Sequence, residues 1–296
     1  MFRIGILGSD NSHAQAFAKL CNLPDEEGNY AYDDIRVVAI YGRDDDPKHT
    51  EEVAEIGKIE LIAKDPKEFL GKVDAVMVVC REGAFHVPEI LPFVEAGYPV
   101  WIDKPICTTL DDVKKLREAC ERNNTLITGG STMKYCKEIV EAATKLSSGE
   151  IGATFGGTMQ FPGDLSSQYS GLYFYGSHLV EMMLTVFGYN PKSLIASSVK
   201  SNRISIIVNY DEFQVTLNYT SHSPASYISV YSEKGGYSTK VDISDIYKRG
   251  FSKFREMLVT KEMPLSFDNL VKPIYVLEAI LKSLKENREV MIEEIK

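Results

Sequence analysis

Tyr98-Pro99-Val100-Trp101-Ile102-Asp103-Lys104-Pro105 is a short apolar run that delivers one lysine at its end and locks it there with a proline. The residue before a proline is pushed toward extended geometry, so Lys104 sits where a strand ends and not inside a helix. Side chains alternate across a strand, which sends Asp103 and Lys104 to opposite faces and turns Lys104 toward a ligand. In open α/β sheets ligands bind just beyond the carboxyl ends of the strands. What surrounds this strand therefore decides the fold.

Upstream and downstream of it, strand-like and helix-like segments alternate. Apolar runs at 2–7, 36–41, 60–63, 74–79, 100–102 and 125–128 are each short enough for a buried parallel strand. Ser12 precedes an amphipathic run at 14–20 as a cap candidate, and Asp65-Pro66 opens a short helix to Leu70. Thr109 caps a helix over 110–121 with Asp111 and Asp112 in its first turn. Six strands separated by helices, with a phosphate-type turn after the first, predict a doubly wound nucleotide-binding sheet over residues 1–128.

Past Gly129-Gly130 the rhythm changes. A helix near 134–146, a strand near 154–161, an aromatic loop to Tyr175 and a helix over 177–187 come first. Strand-like runs at 192–200, 203–210, 214–219 and 227–232 follow, joined by turn signals such as Tyr210-Asp211-Glu212 and Lys234-Gly235-Gly236. Two helices near 243–260 and 268–287 close the chain. Residues 129–296 thus read as an α+β domain with a mostly antiparallel sheet.

The bulk composition agrees. The chain has 296 residues, 44% of them hydrophobic and 25% charged, which suits two globular domains. No apolar run reaches spanning length and the first strand begins at residue 2, so the expectation is a cytoplasmic protein with no membrane helix or signal peptide. A net charge of -9 disfavours nucleic-acid or anionic-membrane partners. Five cysteines, an odd number without a CxxC pair, point to reduced thiols and to no metal site.

Arg3-Ile4-Gly5-Ile6-Leu7-Gly8, Val73 to Val79 with His86 downstream, Glu95-Ala96-Gly97, Asp103-Lys104-Pro105, Gly149-Glu150-Ile151-Gly152, Gly176-Ser177-His178 with Glu181, and Val276 to Ile280 with Ser283 recur together in order and spacing. With them the chain resembles the glucose-fructose oxidoreductase / inositol dehydrogenase (Gfo/Idh/MocA) family nearly end to end. The resemblance implies a Rossmann domain, a substrate-carrying sheet domain, an NAD or NADP cofactor, and a homodimer or homotetramer packed through the second sheet.

Several positions depart from the family pattern. Gly8-Ser9-Asp10-Asn11-Ser12-His13 occupies the GxGxxG place but keeps only its first glycine. Asp10 either brings a carboxylate toward the pyrophosphate or turns away as a cap, while Asn11 and Ser12 offer side-chain hydrogen bonds beside the helix N-terminus. His13 is expected to pack at the start of the helix. Gly42 stands where an NAD enzyme carries a ribose-binding acid, and Arg43 follows as a cation for a 2′-phosphate, which leans the cofactor toward NADP. Asp44, Asp45 and Asp46 offer Arg43 alternative partners. Cys80 and Arg81 follow the fourth strand at the nicotinamide, Arg81 being either a ligand for an acidic group or an ion-paired rim residue, and His86 opens the next helix.

Ser177 reads as a cap that makes His178 the first residue of its helix. There an imidazole is disfavoured as a cation and can accept a proton. Lys104 and His178 are the catalytic candidates: the lysine polarises an alcohol oxygen, the histidine or a bound water takes its proton, and Glu181 orients the imidazole. Phe174 replaces an aspartate that several family members carry four residues before the histidine. Tyr173 and Tyr175 bracket it as substrate ligands or as an aromatic wall, with Tyr169 and Phe161 nearby. Lys134 and Tyr135 stand where the family has residues near the substrate mouth, with a solvent-facing Lys134 as the plainer alternative. The expected activity is hydride transfer between a nicotinamide and a secondary alcohol or carbonyl of a sugar, cyclitol or similar polyol. Asp10, Gly42 and Phe174 together motivate a second reading, a ligand-binding or regulatory protein without catalysis, and an oxidoreductase for a non-sugar substrate is a third.

Overall fold

The computed structural model describes residues 1–43, 47–220 and 225–295, and they form two compact units. The first holds residues 1–130 and 247–267, the second 131–246 and 268–296.

In the first unit, β1 (Phe2–Leu7), β2 (Ile35–Tyr41), β3 (Leu61–Ile62), β4 (Ala75–Val78), β5 (Val100–Ile102) and β6 (Ile127–Gly129) lie in the order β3-β2-β1-β4-β5-β6. Every pairing is parallel. The strands read as continuous apolar runs because the sheet is covered on both faces, and Ile4, Ile6, Ala75, Val76, Met77 and Val78 are all fully buried. The order reverses between β1 and β4, which places the crevice of a doubly wound fold at the carboxyl ends of those strands.

The helices α1 (Ser12–Asn22), α2 (Pro47–Gly57), α3 (His86–Glu95) and α4 (Leu110–Asn123) complete this sheet. Asn11, not Ser12, caps α1, accepting from the His13 backbone N–H at 3.4 Å. Helix α2 has no reading in the sequence, and of α3 only its start at His86 was expected. Pro47 opens α2, and α3 carries Pro88 and Pro92, residues that read as helix breakers although a proline in the first turn removes no intrahelical bond. Asp44, Asp45 and Asp46 lie outside the described residues.

One helix crosses the expected boundary. The sequence places everything past residue 128 in the second domain, yet most of α7 (Ile246–Thr260) belongs to the first unit. Phe251, Phe254, Met257 and Leu258 enter its core, with Phe251 5.9 Å from Phe17 and Phe254 6.1 Å from Trp101, ring centre to ring centre. Burying each phenylalanine contributes about 1.5–3 kcal/mol. Periodicity shows that a helix has an apolar face but not which sheet the face covers.

The second unit is built on β7 (Thr154–Phe161), β8 (Ser193–Lys200), β9 (Arg203–Asn209), β10 (Gln214–Tyr219), β11 (Tyr227–Ser232), β12 (Gly235–Lys240) and β13 (Val290–Met291), in the order β12-β11-β7-β10-β9-β8-β13. Among the described residues only the β10–β7 pairing of this sheet is parallel. The turn read at Lys234-Gly235-Gly236 is shifted: the link is Glu233-Lys234, and Gly235, at φ 115°, already starts β12.

The helices α5 (Lys137–Ser147), α6 (Tyr173–Phe187) and α8 (Phe267–Glu286) accompany this sheet. Strands β9, β10 and β11 alternate between buried and more exposed positions. Ile204, Ile206, Val208, Val215, Leu217 and Tyr219 are buried and form the inner face. The opposite face, fixed by the pairing of Ile195 with Ile207, Ile207 with Thr216, Thr216 with Thr158 and Thr158 with Ser229, carries the exposed Ile195, Ile207, Tyr227 and Tyr231. Among the described residues no helix is long and apolar enough to cross a membrane.

Candidate active site

In the first unit the turn after β1 runs against the end of β4. Gly8 has φ 94°, and a Cβ there would stand 2.7 Å from both the backbone nitrogen and the sulfur of Cys80. Only glycine fits, for conformation and for space. Burial pushes the Cys80 thiol up, so it remains protonated and apolar in character. Asp10 does not aim its charge along α1: the Arg81 backbone N–H donates to its two carboxylate oxygens at 3.1 and 3.3 Å. Ser9 shares a 2.8 Å hydroxyl contact with Thr50.

Gly42 closes on the same group, since a Cβ there would lie 1.8 Å from Thr50 Oγ1 and 2.8 Å from Ser9 Oγ. The ribose-binding acid of the family pattern is absent because its place is filled. Arg43, with φ 49°, stacks its guanidinium 3.7 Å from the centre of the Phe85 ring and pairs with Glu89. Tyr41, Gly42, Arg43, Thr50 and Lys64 line a hollow of about 480 Å³ at the ends of β2 and β3.

The His86 imidazole is fully buried, with Nδ1 2.6 Å from the Pro105 carbonyl and Nε2 2.8 Å from that of Cys80. Both ring nitrogens are thus spent on backbone, and the side chain clamps the β4 and β5 ends together instead of presenting itself to a cofactor. Lys104 follows β5 as the sequence predicts, and only 4% of it is exposed. Asp103 is buried too. Burial raises its pKa, but His13, at 2.5 Å, together with the nearby Lys104 and His86, outweighs that and holds the carboxyl below its usual range. The His13–Asp103 pair was not legible in sequence, since ninety positions separate its members.

In the second unit His178 is not at the start of its helix. Helix α6 begins at Tyr173, which puts His178 in the second turn and leaves Ser177 inside, its hydroxyl buried with no partner among the described residues. Field arguments from a helix N-terminus fade beyond the first turn. The group that orients the imidazole is Ser131, whose Oγ lies 2.7 Å from Nδ1 while also accepting from the Met133 N–H at 3.2 Å.

Glu181 has a different role from the expected one. Its carboxylate accepts from the Ser131 N–H at 2.7 Å and from Lys134 Nζ at 2.8 Å. Lys134 is therefore not solvent-facing: its side chain is 2% exposed, that of Glu181 3%, and burial, which lowers the lysine pKa, is overcome by the carboxylate, which holds it above the ordinary value. Glu181 thus fixes Ser131, and Ser131 fixes His178. The signal in sequence was Ser131 itself, the N-cap of a short helical turn over Thr132–Tyr135.

Phe161 meets the imidazole edge-on at 5.2 Å and Tyr175 lies 5.8 Å away, while Phe174 packs against Tyr169 and Tyr175 at 4.9 and 4.7 Å. This is the aromatic wall. Tyr173, offered as a substrate ligand, is 5% exposed and donates its hydroxyl to Glu278 of α8 at 2.5 Å. Tyr135 keeps a buried hydroxyl with no partner among the described residues.

The family model described as an oxidoreductase family with an NAD-binding Rossmann fold matches residues 2–131. Over those residues the chain is similar to the Gfo/Idh/MocA oxidoreductase family. An "uncharacterized oxidoreductase" of Streptococcus pneumoniae serotype 4 is 26% identical over 108 residues, which is 36% of this chain and 29% of that relative. The matched part is thus under a third of the curated relative's length. Solved structures share the fold over nearly the whole chain. A putative myo-inositol dehydrogenase from Sinorhizobium meliloti 1021 has a TM-score of 0.85 at 17% identity, covering 99% of this chain and 100% of the other. The scyllo-inositol dehydrogenase from Lactobacillus casei, solved with NAD(H) and scyllo-inositol, has 0.84 at 12% with 99% of both chains covered. An oxidoreductase from Agrobacterium radiobacter, solved with NAD+, L-tartaric acid and magnesium, has 0.79 at 17%, covering 100% and 99%.

Proposed function

We propose that the chain is an NAD(P)-dependent oxidoreductase that moves hydride between a nicotinamide and a secondary alcohol or carbonyl of a sugar, cyclitol or similar small polyol. The observation that carries this reading is the turn at Gly8: it lies at the β1/β4 reversal, has room only for glycine, and leads into the N-terminus of α1, in a unit whose family model is an NAD-binding one. The residues there fit a pyrophosphate, because Asp10 is turned onto the Arg81 backbone and the α1 N-terminus keeps its favourable dipole. Bound there, the nicotinamide supplies the hydride acceptor or donor.

The chain's own residues supply the rest. Lys104 polarises the substrate oxygen. With Nδ1–H donated to Ser131 Oγ, His178 accepts the hydroxyl proton at Nε2, and in the reverse direction returns it. The aromatic wall of Phe161 and Tyr175 beside the imidazole suits the apolar face of a sugar or cyclitol ring. The two inositol dehydrogenases of like fold support that substrate class.

Cofactor choice leans to NADP. Gly42 leaves no place for a ribose-binding acid, and Arg43 lines the same hollow, so a 2′-phosphate would share its guanidinium with Glu89. Assembly as a homodimer or homotetramer rests on the outer sheet face with Ile195, Ile207, Tyr227 and Tyr231. A panel of inositols, hexoses and acyclic polyols, each with NAD and with NADP, tests the reading by the appearance of reduced nicotinamide. Turnover of at least one polyol supports it, and silence across the panel with both cofactors overturns it.

A further inference from the structure

The cofactor turn carries a histidine where the family pattern has its third glycine. A glycine there lets the helix settle on the strand by close packing. His13 instead reaches across. It is the second residue of α1, its Nδ1 lies 2.5 Å from Asp103 Oδ2, and its ring is held edge-on by Tyr247 at 5.1 Å and Phe17 at 6.3 Å. Asp103 is 1% exposed, and its other carboxylate oxygen has no hydrogen-bond partner among the described residues. Its backbone N–H donates to Val78 O at 3.0 Å, which continues the β4–β5 ladder through the residue before Lys104.

We infer that His13 is a positioning residue that, through Asp103, ties the cofactor turn at 8–13 to the strand end that carries Lys104. The inference rests on the oxidoreductase reading. One charge-assisted bond, its carboxylate end buried and its imidazole end 14% exposed, joins the element that receives the pyrophosphate to the element that bears the lysine. Reacting groups must be held within about 0.5 Å of the productive geometry, and Lys104 is a single residue from the anchored carboxylate. Placing the cofactor and placing the lysine thus become one event.

The test uses the full-length protein and three variants. His13→Leu keeps volume and removes the donor, His13→Asn keeps a donor close to the place of Nδ1, and Asp103→Asn keeps size and an acceptor but removes the charge. Hydrogen exchange is followed by mass spectrometry in peptides covering 8–14 and 100–107, and NADH and NADPH are titrated by fluorescence. In His13→Leu, exchange in 100–107 is expected to quicken at least about tenfold, the factor that a hydrogen bond to a charged group is worth. The Kd for reduced cofactor is expected to rise by a similar factor, and His13→Asn recovers most of both. Asp103→Asn quickens exchange reciprocally in 8–14, which keeps the idea testable even where His13→Leu does not fold. Unchanged exchange in 100–107 with His13→Leu, or a His13→Asn variant as impaired as His13→Leu, overturns the inference while leaving the cofactor reading intact. Reciprocal exchange effects in a wild type that binds neither nucleotide leave the coupling standing and remove the cofactor reading.

Discussion

Replacing Glu181 with leucine strips two buried groups of their partner at once. Its carboxylate accepts from Lys134 at 2.8 Å and from the Ser131 N–H at 2.7 Å, and both side chains of the ion pair are almost fully buried. Removing one member of a buried pair costs about 3–5 kcal/mol, because the remaining charge has no compensation. An unsatisfied buried N–H adds about 1–3 kcal/mol. At roughly 2–4 °C per kcal/mol for a unit of this size, Glu181→Leu lowers the melting temperature by at least about 8 °C. Adding Lys134→Met to that variant removes the stranded ammonium while keeping its apolar stem, and recovers most of the ion-pair share. The sign with pH follows from the raised Lys134 pKa: the pair's contribution is fully present below the unfolded lysine value and is lost as pH rises through the higher folded one, so the defect is undiminished at neutral pH. Thermal scans of the wild type, both single variants and the double variant decide it. A Glu181→Leu protein within about 1 kcal/mol of wild type, or a double variant no more stable than Glu181→Leu, refutes the account of that pair.

Three other outcomes are expected. Lys104→Met folds and loses turnover, His178→Asn loses on the order of a hundredfold or more, and the double variant is little worse than the poorer single one, as steady-state kinetics on a polyol that the wild type oxidises will show. Gly42→Asp destabilises by about 1–3 kcal/mol through overpacking on Thr50 Oγ1, read by urea denaturation, and Thr50→Ala in the same chain restores part of the loss. Asp103 has a folded pKa below its unfolded value near 3.9, so its contribution is present above that value and lost as pH falls through the folded one; the melting temperature of Asp103→Asn is therefore lower at neutral pH and falls less steeply into acid.

The parallel sheet was legible because buried parallel strands announce themselves as uninterrupted apolar runs, and Lys104 because a proline fixes the residue before it. Helix α3 was marked only by His86 at its start, since Pro88 and Pro92 break its pattern, and α7 was read as a helix while no local sign showed that its phenylalanines belong with Phe17 and Trp101. At the candidate site, local sequence named His178 but assigned its partner by helical spacing, which put Glu181 in the place that Ser131 holds. Spacing along one helix says which residues share a face. It cannot say that a serine forty-seven positions earlier arrives there first, or that Glu181 turns to Lys134 and the Ser131 backbone. The same limit hid the His13–Asp103 pair and the engagement of Arg43 by Glu89 and Phe85.

Direct titration of the wild-type protein and of Gly8→Ala with NADH and NADPH, by calorimetry, bears most closely on the central claim. The turn that has room only for glycine is the proposed seat of the pyrophosphate, and a methyl there meets the Cys80 backbone at 2.7 Å. The account predicts saturable one-to-one binding by the wild type, NADPH the tighter, and a loss of affinity of about tenfold or more in a Gly8→Ala protein that still folds. No binding of either nucleotide to the wild type at millimolar concentration, or equal binding by Gly8→Ala, would contradict it.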